Sequence, residues 1–173
     1  MTSFLYSAKA AEAATHQLPA LLDRPRILHI LHDETLLPRI LWPSSVMMNR
    51  QQTLSGLEGV LSDSKIGVSL LKLQDGVTSV EKVGGGFTMT VTYTVLDAGE
   101  DSSSHTLRLR EERSVRALKP IASFAKFKEE SPVKTQNLLR FFAAWAANGA
   151  DDATAALESI AEANVQDEKH KDD

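Results

Sequence analysis

The chain lacks cysteine altogether. That excludes a disulfide framework, a thiolate-ligated zinc and a cysteine nucleophile, and it fits a reducing compartment. It also lacks an excess of positive charge: the formal net charge is −4 and the pI is near 5.7. A nucleic-acid binder that relies on a global positive field is therefore not expected. No apolar run approaches the roughly 20 residues needed to span a bilayer, so no membrane partner is expected. Lys9 and Glu12 interrupt the start too early for a signal-peptide core, and the expected location is cytoplasmic. No internal repeat is present. What remains is a chain of 173 residues with 42% hydrophobic content, enough for one domain with its own core. We expect that domain over 1–165 and a charged, disordered tail over 166–173.

The strongest pattern lies at 86–96. Phe87, Met89, Val91, Tyr93 and Val95 alternate with threonines, a period of two that describes a strand with one dry face and one wet face. Threonine suits the wet face because its branched side chain fits extended backbone. Segments 66–73 and 77–83 are strands joined through Asp75-Gly76, a hairpin signal. A further strand follows the polar loop 97–104 and runs over 105–118. Helices are expected at 3–18, from its alanine-rich body, and at 24–33, with Asp23 as cap and Pro25 in the first turn. A short third helix is expected at 54–61, where Ser55 and Glu58 have capping-box spacing. Between them Pro43 breaks an extended piece that leads into Val46-Met47-Met48. Segment 119–130 carries both helical and strand parity. Ser131 and Pro132 open a helix that ends at Gly149, and a last helix carries Leu157, Ile160 and Ala161.

The order of these parts resembles the nuclear transport factor 2-like superfamily, which includes the SnoaL-like cyclases. The residues that carry the resemblance are His32-Asp33, Leu36–Pro43, Asn49-Arg50-Gln51, Ser55–Leu61 and the strand pair Phe87–Leu96 and Thr106–Val115. It covers about residues 3–118. It implies an α+β fold in which a curved antiparallel sheet and N-terminal helices form a cone around an apolar cavity. It also implies an apolar small-molecule ligand, a homodimer and, for a catalytic member, cofactor-free isomerisation, cyclisation or dehydration. No catalytic motif is universal in that family, so none is carried over by position. The chain departs from the pattern in its two C-terminal helices, which would plug the cone, cap its mouth or form a dimer surface. A helix-grip fold, with a long C-terminal helix against an antiparallel sheet, is the structural alternative.

Candidate chemistry comes from strand parity. In 105–118, Leu107, Leu109, Val115 and Ala117 share a face with Glu111 and Arg113, whereas Arg108, Arg110, Glu112, Ser114 and Arg116 take the other. A regular strand would turn Glu111 and Arg113 inward, where Glu111 would serve as acid or base and Arg113 would hold an anion. A bulge at Glu111-Glu112 would instead leave both in water. His32, at the flank of its helix, would reach a pocket rim with Asp33 orienting it, or else lie on the surface as His29 does. Tyr93, Trp42, Met48 and Met89 would line a cavity or pack as ordinary core. No metal site is expected, since the histidines lack further ligands at supporting spacing. Gly84-Gly85-Gly86 precedes a strand, so it offers no phosphate-binding helix terminus. The competing expectation is a non-catalytic interaction or dimerisation module. It rests on Phe141, Phe142 and Trp145, more apolar surface than one core-facing stripe needs.

Overall fold

The computed structural model describes residues 5–97, 106–122, 132–149 and 153–169. Its N-terminal stretch is extended: β1 (Tyr6–Ala10) and β2 (Ala14–Gln17) replace the helix expected at 3–18. Both pair antiparallel with the same distant strand, β8 (Arg108–Leu118). Alanine's helix propensity is a weak prior, and the ladder with β8 overrides it. From Ala10 to Ala14 is four residues, whereas their partners Ser114 and Glu111 are three apart. The extra residue is a β-bulge, and the Ala11 amide donates to the Arg113 carbonyl at 3.0 Å within it.

α1 (Arg24–His32) starts where the sequence indicated, with the Asp23 carboxylate accepting from the Arg26 amide at 2.9 Å. It buries Ile27, Ile30 and Leu31. α2 (Leu36–Leu41) follows at once, taking in Ile40 and Leu41 where the extended piece was expected to begin, and buries Leu37, Pro38, Ile40 and Leu41. The Asp33 carboxylate accepts from the Thr35 and Leu36 amides, each at 2.8 Å, and so closes the helix entrance.

Six strands then run as a meander: β3 (Met47–Thr53), β4 (Gly56–Leu61), β5 (Gly67–Leu73), β6 (Gly76–Val83), β7 (Phe87–Leu96) and β8. The sheet order is β1-β8-β7-β6-β5-β4-β3, with β2 also on β8. The third helix expected at 54–61 is strand β4. Its capping-box spacing is accidental, because Leu57, Gly59 and Leu61 alternate inward as strand residues. Gly59 is required there: a Cβ would lie 2.6 Å from Met47 Cγ.

After β8 come α3 (Lys119–Ala122), α4 (Val133–Ala147) and α5 (Ala153–Lys169). Lys119–Ala122 resolves the ambiguous segment as helical at its start; residues 123–130 lie outside those described. Most of the loop expected at 97–104 also lies outside them. α5 continues to Lys169, into the expected disordered tail, of which 170–173 are outside the described residues. α4 rests against the inner face of the sheet and carries Leu138, Phe141 and Phe142, all with no exposed surface, and Trp145 at 7%. The aromatic surface that suggested a docking face is therefore consumed inside the chain. Phe141 and Phe142 meet edge to face at 6.0 Å, and Trp145 stacks on Phe141 at 6.1 Å. The outer face of β7 is the threonine face, where Thr92 bonds Thr78 of β6 at 3.0 Å.

Candidate functional site

β8 runs without a bulge opposite β7, so strand parity delivers its side chains as the alternation indicates. Tyr93 lies opposite Glu111 and Val91 opposite Arg113. All four point to the inner face, and Glu111 has no exposed surface. Across the other edge, β2 places Ala14 opposite Glu111 and His16 opposite Leu109. His16 Nε2–H donates to Glu111 Oε2 at 3.0 Å. Arg113 Nε lies 3.1 Å from Glu111 Oε1, with its side chain 12% exposed. One buried carboxylate thus joins an imidazole to a guanidinium, the pairing a buried charge requires.

A second polar group sits two strands away. Glu81 of β6, 6% exposed, accepts from Trp42 Nε1 at 2.7 Å and from Lys134 Nζ of α4 at 2.6 Å, both through Oε1. Between the two groups the Tyr93 hydroxyl shares a hydrogen bond with Thr135 Oγ1 of α4 at 2.9 Å. Burial drives the Tyr93 pKa well above the ordinary tyrosine value. The charges of Glu111 and Glu81 add to the rise, and the Thr135 bond opposes it. Asn137, with no exposed surface, and Ser79, at 1%, complete the set. Both amide atoms of Asn137 and the Ser79 hydroxyl have no hydrogen-bond partner among the described residues. An unmade bond at such a depth costs about 1–3 kcal/mol per group.

Of the residues singled out from sequence, Glu111, Arg113 and Tyr93 come together on the inner face. Met89 is half-buried on that face, opposite Glu81 and Val115. Trp42 is buried and bound to Glu81. Met48 is 38% exposed, and it is its neighbour Met47 that enters the core. His32 is not at the charged cluster. Its Nε2–H is shared between the Leu73 carbonyl at 3.0 Å and the Gly76 carbonyl at 2.9 Å, so it clasps the β5–β6 turn. Asp33 does not orient it, being committed to the cap of α2. His16, Ser79, Glu81, Lys134, Thr135 and Asn137 escaped the sequence reading. Parity with Val77 was available for Ser79 and Glu81, and the spacing of Asn137 from Phe141 placed it on the buried arc of its helix.

A shallow depression beneath the α1–α2 junction, with room for about one water molecule, is lined by Leu31, His32, Asp33, Glu34, Leu37, Leu57, Leu70, Lys72 and Val77. Lys72 Nζ and Glu34 Oε1 meet at its rim at 2.7 Å. Lysine pairing holds the Glu34 carboxyl below its ordinary pKa. Among the described residues no three histidine, aspartate or glutamate side chains are grouped to hold a metal ion. No helix among them is long and apolar enough to cross a membrane.

No protein-family model matches the chain, and no curated protein matches it. A solved structure with a similar course of chain is that of SA2116 from Staphylococcus aureus, itself a protein of unknown function. It is 9% identical, covers 92% of this chain and 98% of that one, and has a TM-score of 0.42. A likeness of that degree carries no argument about activity.

Proposed function

We propose that this protein binds a small molecule between its sheet and its C-terminal helices, and that His16 and Glu111 form the acid–base pair of that site. The observation that carries the reading is the buried His16–Glu111–Arg113 cluster on the inner sheet face. Packing alone has no use for it, since apolar residues of the same volume would cost less to bury. A carboxylate that holds one imidazole nitrogen fixes the tautomer and stabilises the imidazolium, as in a general acid–base dyad. His16, 19% exposed, is the proton carrier in this arrangement, Glu111 its positioning residue and Arg113 the cation that pairs with Glu111. Cofactor-free isomerisation, cyclisation or dehydration is chemistry that one such dyad can perform. The polar groups at Glu81, Ser79 and Asn137 favour a ligand with hydrogen-bonding substituents over a purely apolar one.

The element order supports the helix-grip alternative over the nuclear transport factor 2-like cone. Two short N-terminal strands joined by a bulge, two helices, a six-stranded meander whose last strand pairs with both, and helices seated on the inner face account for the described chain. A cysteine-free chain suits the cytoplasm.

The test uses anilinonaphthalene sulfonate, an amphipathic fluorescent anion, on the intact protein and on a variant carrying His16→Leu, Glu111→Leu and Arg113→Met together. Saturable binding by the natural protein, weakened about tenfold or more in a folded variant, is the expected result. Equal binding by both, or a variant that fails to fold, makes the cluster structural and removes the reading.

A further inference from the structure

We propose that the first turn of α4, from Val133 to Asn137, is the gate of the interior site. Closed, it is latched to the sheet through Lys134–Glu81 and Thr135–Tyr93; unwound, it admits a ligand to the dyad. The gate rests on the reading of the sheet–helix interior as a ligand site and adds how that site is reached. Tyr93 and Glu111 have no exposed surface, so a ligand between the sheet and the C-terminal helices needs part of their cover to move.

α4 is held unequally along its length. From Leu138 onward it is fixed by buried apolar side chains, Leu138, Phe141, Phe142 and Trp145. The first turn has no such anchor. Val133 is exposed, and the turn reaches the sheet only through polar contacts, Lys134 Nζ with Glu81 Oε1 and Thr135 Oγ1 with the Tyr93 hydroxyl. The helix start is weak as well. Pro132 stands at the N-cap and gives the orphan amides no side-chain acceptor. No acidic residue lies in the first turn, and Lys134 places a cation at the positive end of the helix dipole. Glu81 compensates that charge only while the turn is docked. Val133 and Thr135 are β-branched, which lowers their preference for helix. Asn137 ends the turn fully buried, and neither of its amide atoms has a partner among the described residues. Those bonds are unmade in the closed state and are made to water in the open one, which narrows the gap between the two.

Sheet register shows what the gate covers. Glu81 lies opposite Met89, and Val83 opposite Phe87. Met89 and Phe87 are half-buried and Val83 is exposed, so this end of β6 and β7 is less covered than their middles, where Val77, Ser79, Val91 and Tyr93 are buried. Tyr93, the other latch residue, lies directly opposite Glu111. The bond that Thr135 releases is therefore beside the carboxylate of the dyad. Unwinding the turn frees the Tyr93 hydroxyl and the Glu81 carboxylate as partners for a ligand, and it does so without disturbing the aromatic anchor of α4.

The test is amide hydrogen exchange on the full-length protein and on its Pro132→Asp and Thr135→Val variants, each also titrated with anilinonaphthalene sulfonate. The Asn137 and Leu138 amides bond back to the carbonyls of Val133 and Lys134, four residues earlier. In the natural protein they should exchange about tenfold faster than the amides of Phe142 to Ala146. Pro132→Asp supplies the missing cap, and it should slow both amides and weaken anilinonaphthalene sulfonate binding by one common factor, about fivefold. Thr135→Val unlatches Tyr93 and should move both readouts the other way. The common factor is the signature, because apparent affinity scales with the fraction of open molecules. Uniform exchange along α4, or exchange that shifts while the affinity stays put, overturns the gate and leaves the interior site standing. If the natural protein does not bind anilinonaphthalene sulfonate saturably, the ligand reading falls and the gate falls with it. Should Thr135→Val fail to fold, Pro132→Asp decides alone, since it touches neither latch.

Discussion

Replacing Glu111 by leucine removes the carboxylate from a guanidinium and an imidazole that remain largely buried, with side-chain exposures of 12% and 19%. Breaking a buried ion pair from one side costs about 3–5 kcal/mol, because the remaining charge keeps its desolvation penalty. A domain of this length shifts in Tm by about 2–4 °C per kcal/mol, so the expected loss is about 6–20 °C. Removing all three polar side chains gives the opposite result. The triple variant His16→Leu, Glu111→Leu, Arg113→Met discards the penalties together with the pair and should be neutral or up to about 4 kcal/mol more stable. Urea unfolding followed by tryptophan fluorescence reads both, since Trp42 and Trp145 are 9% and 7% exposed and must redden on unfolding. A single variant that costs less than about 1 kcal/mol, or a triple variant that costs as much as the single, refutes the claim that stability is spent on this cluster.

Other substitutions test the frame around it. Asp33→Ala removes the acceptor for two amides at the start of α2 and should cost about 0.5–2 kcal/mol in the same urea assay, with Asp33→Asn recovering most of it. Gly76→Ala would set a Cβ 1.8 Å from the Tyr93 carbonyl oxygen, so circular dichroism should show a lower Tm than for any exposed alanine substitution. Tyr93 has a raised pKa in the folded state, so its contribution is intact below the unfolded tyrosine value near 10 and fades as pH rises above it. Alkaline unfolding should therefore begin above about pH 10 and be shallower in Tyr93→Phe. Glu34 is shifted the other way by Lys72. Its contribution is present above about pH 4.3 and lost as pH falls through the lower folded value, and Lys72→Met should flatten that limb of a pH–stability curve.

Local signals carried the reading as far as they reached. The threonine alternation marked β7, the Asp75-Gly76 step marked the β5–β6 hairpin, and Asp23 with Pro25 marked the start of α1. Inward placement of Glu111 and Arg113 was legible because β8 is regular and parity needs no knowledge of its neighbours. Two segments misled for different reasons. Residues 3–18 are rich in alanine, a good helix former, yet a ladder with a strand some hundred positions away decided their state. In 54–61, a glycine at the inward position 59 and another at 56 thinned the alternation until Ser55 and Glu58 looked like a cap. A helical reading of 3–18 gives His16 no strand parity, so its link to Glu111 is invisible in the sequence. Lys134 with Glu81, and Tyr93 with Thr135, join α4 to the sheet across long stretches of chain, and nothing in either segment announces the other.

The surplus residue between β1 and β2 sets the phase of everything that follows it on that edge. Were the Ala10–Ser114 register carried through unbroken, Thr15 would stand opposite Leu109 and face the interior, and His16 would turn outward to water. Excising a single alanine from 11–13 would let the ladder run without the bulge and keep His16 opposite Leu109, whereas straightening the bulge with no residue removed would bring Thr15 there instead. The acid–base character of the interior hangs on the register that this bulge sets.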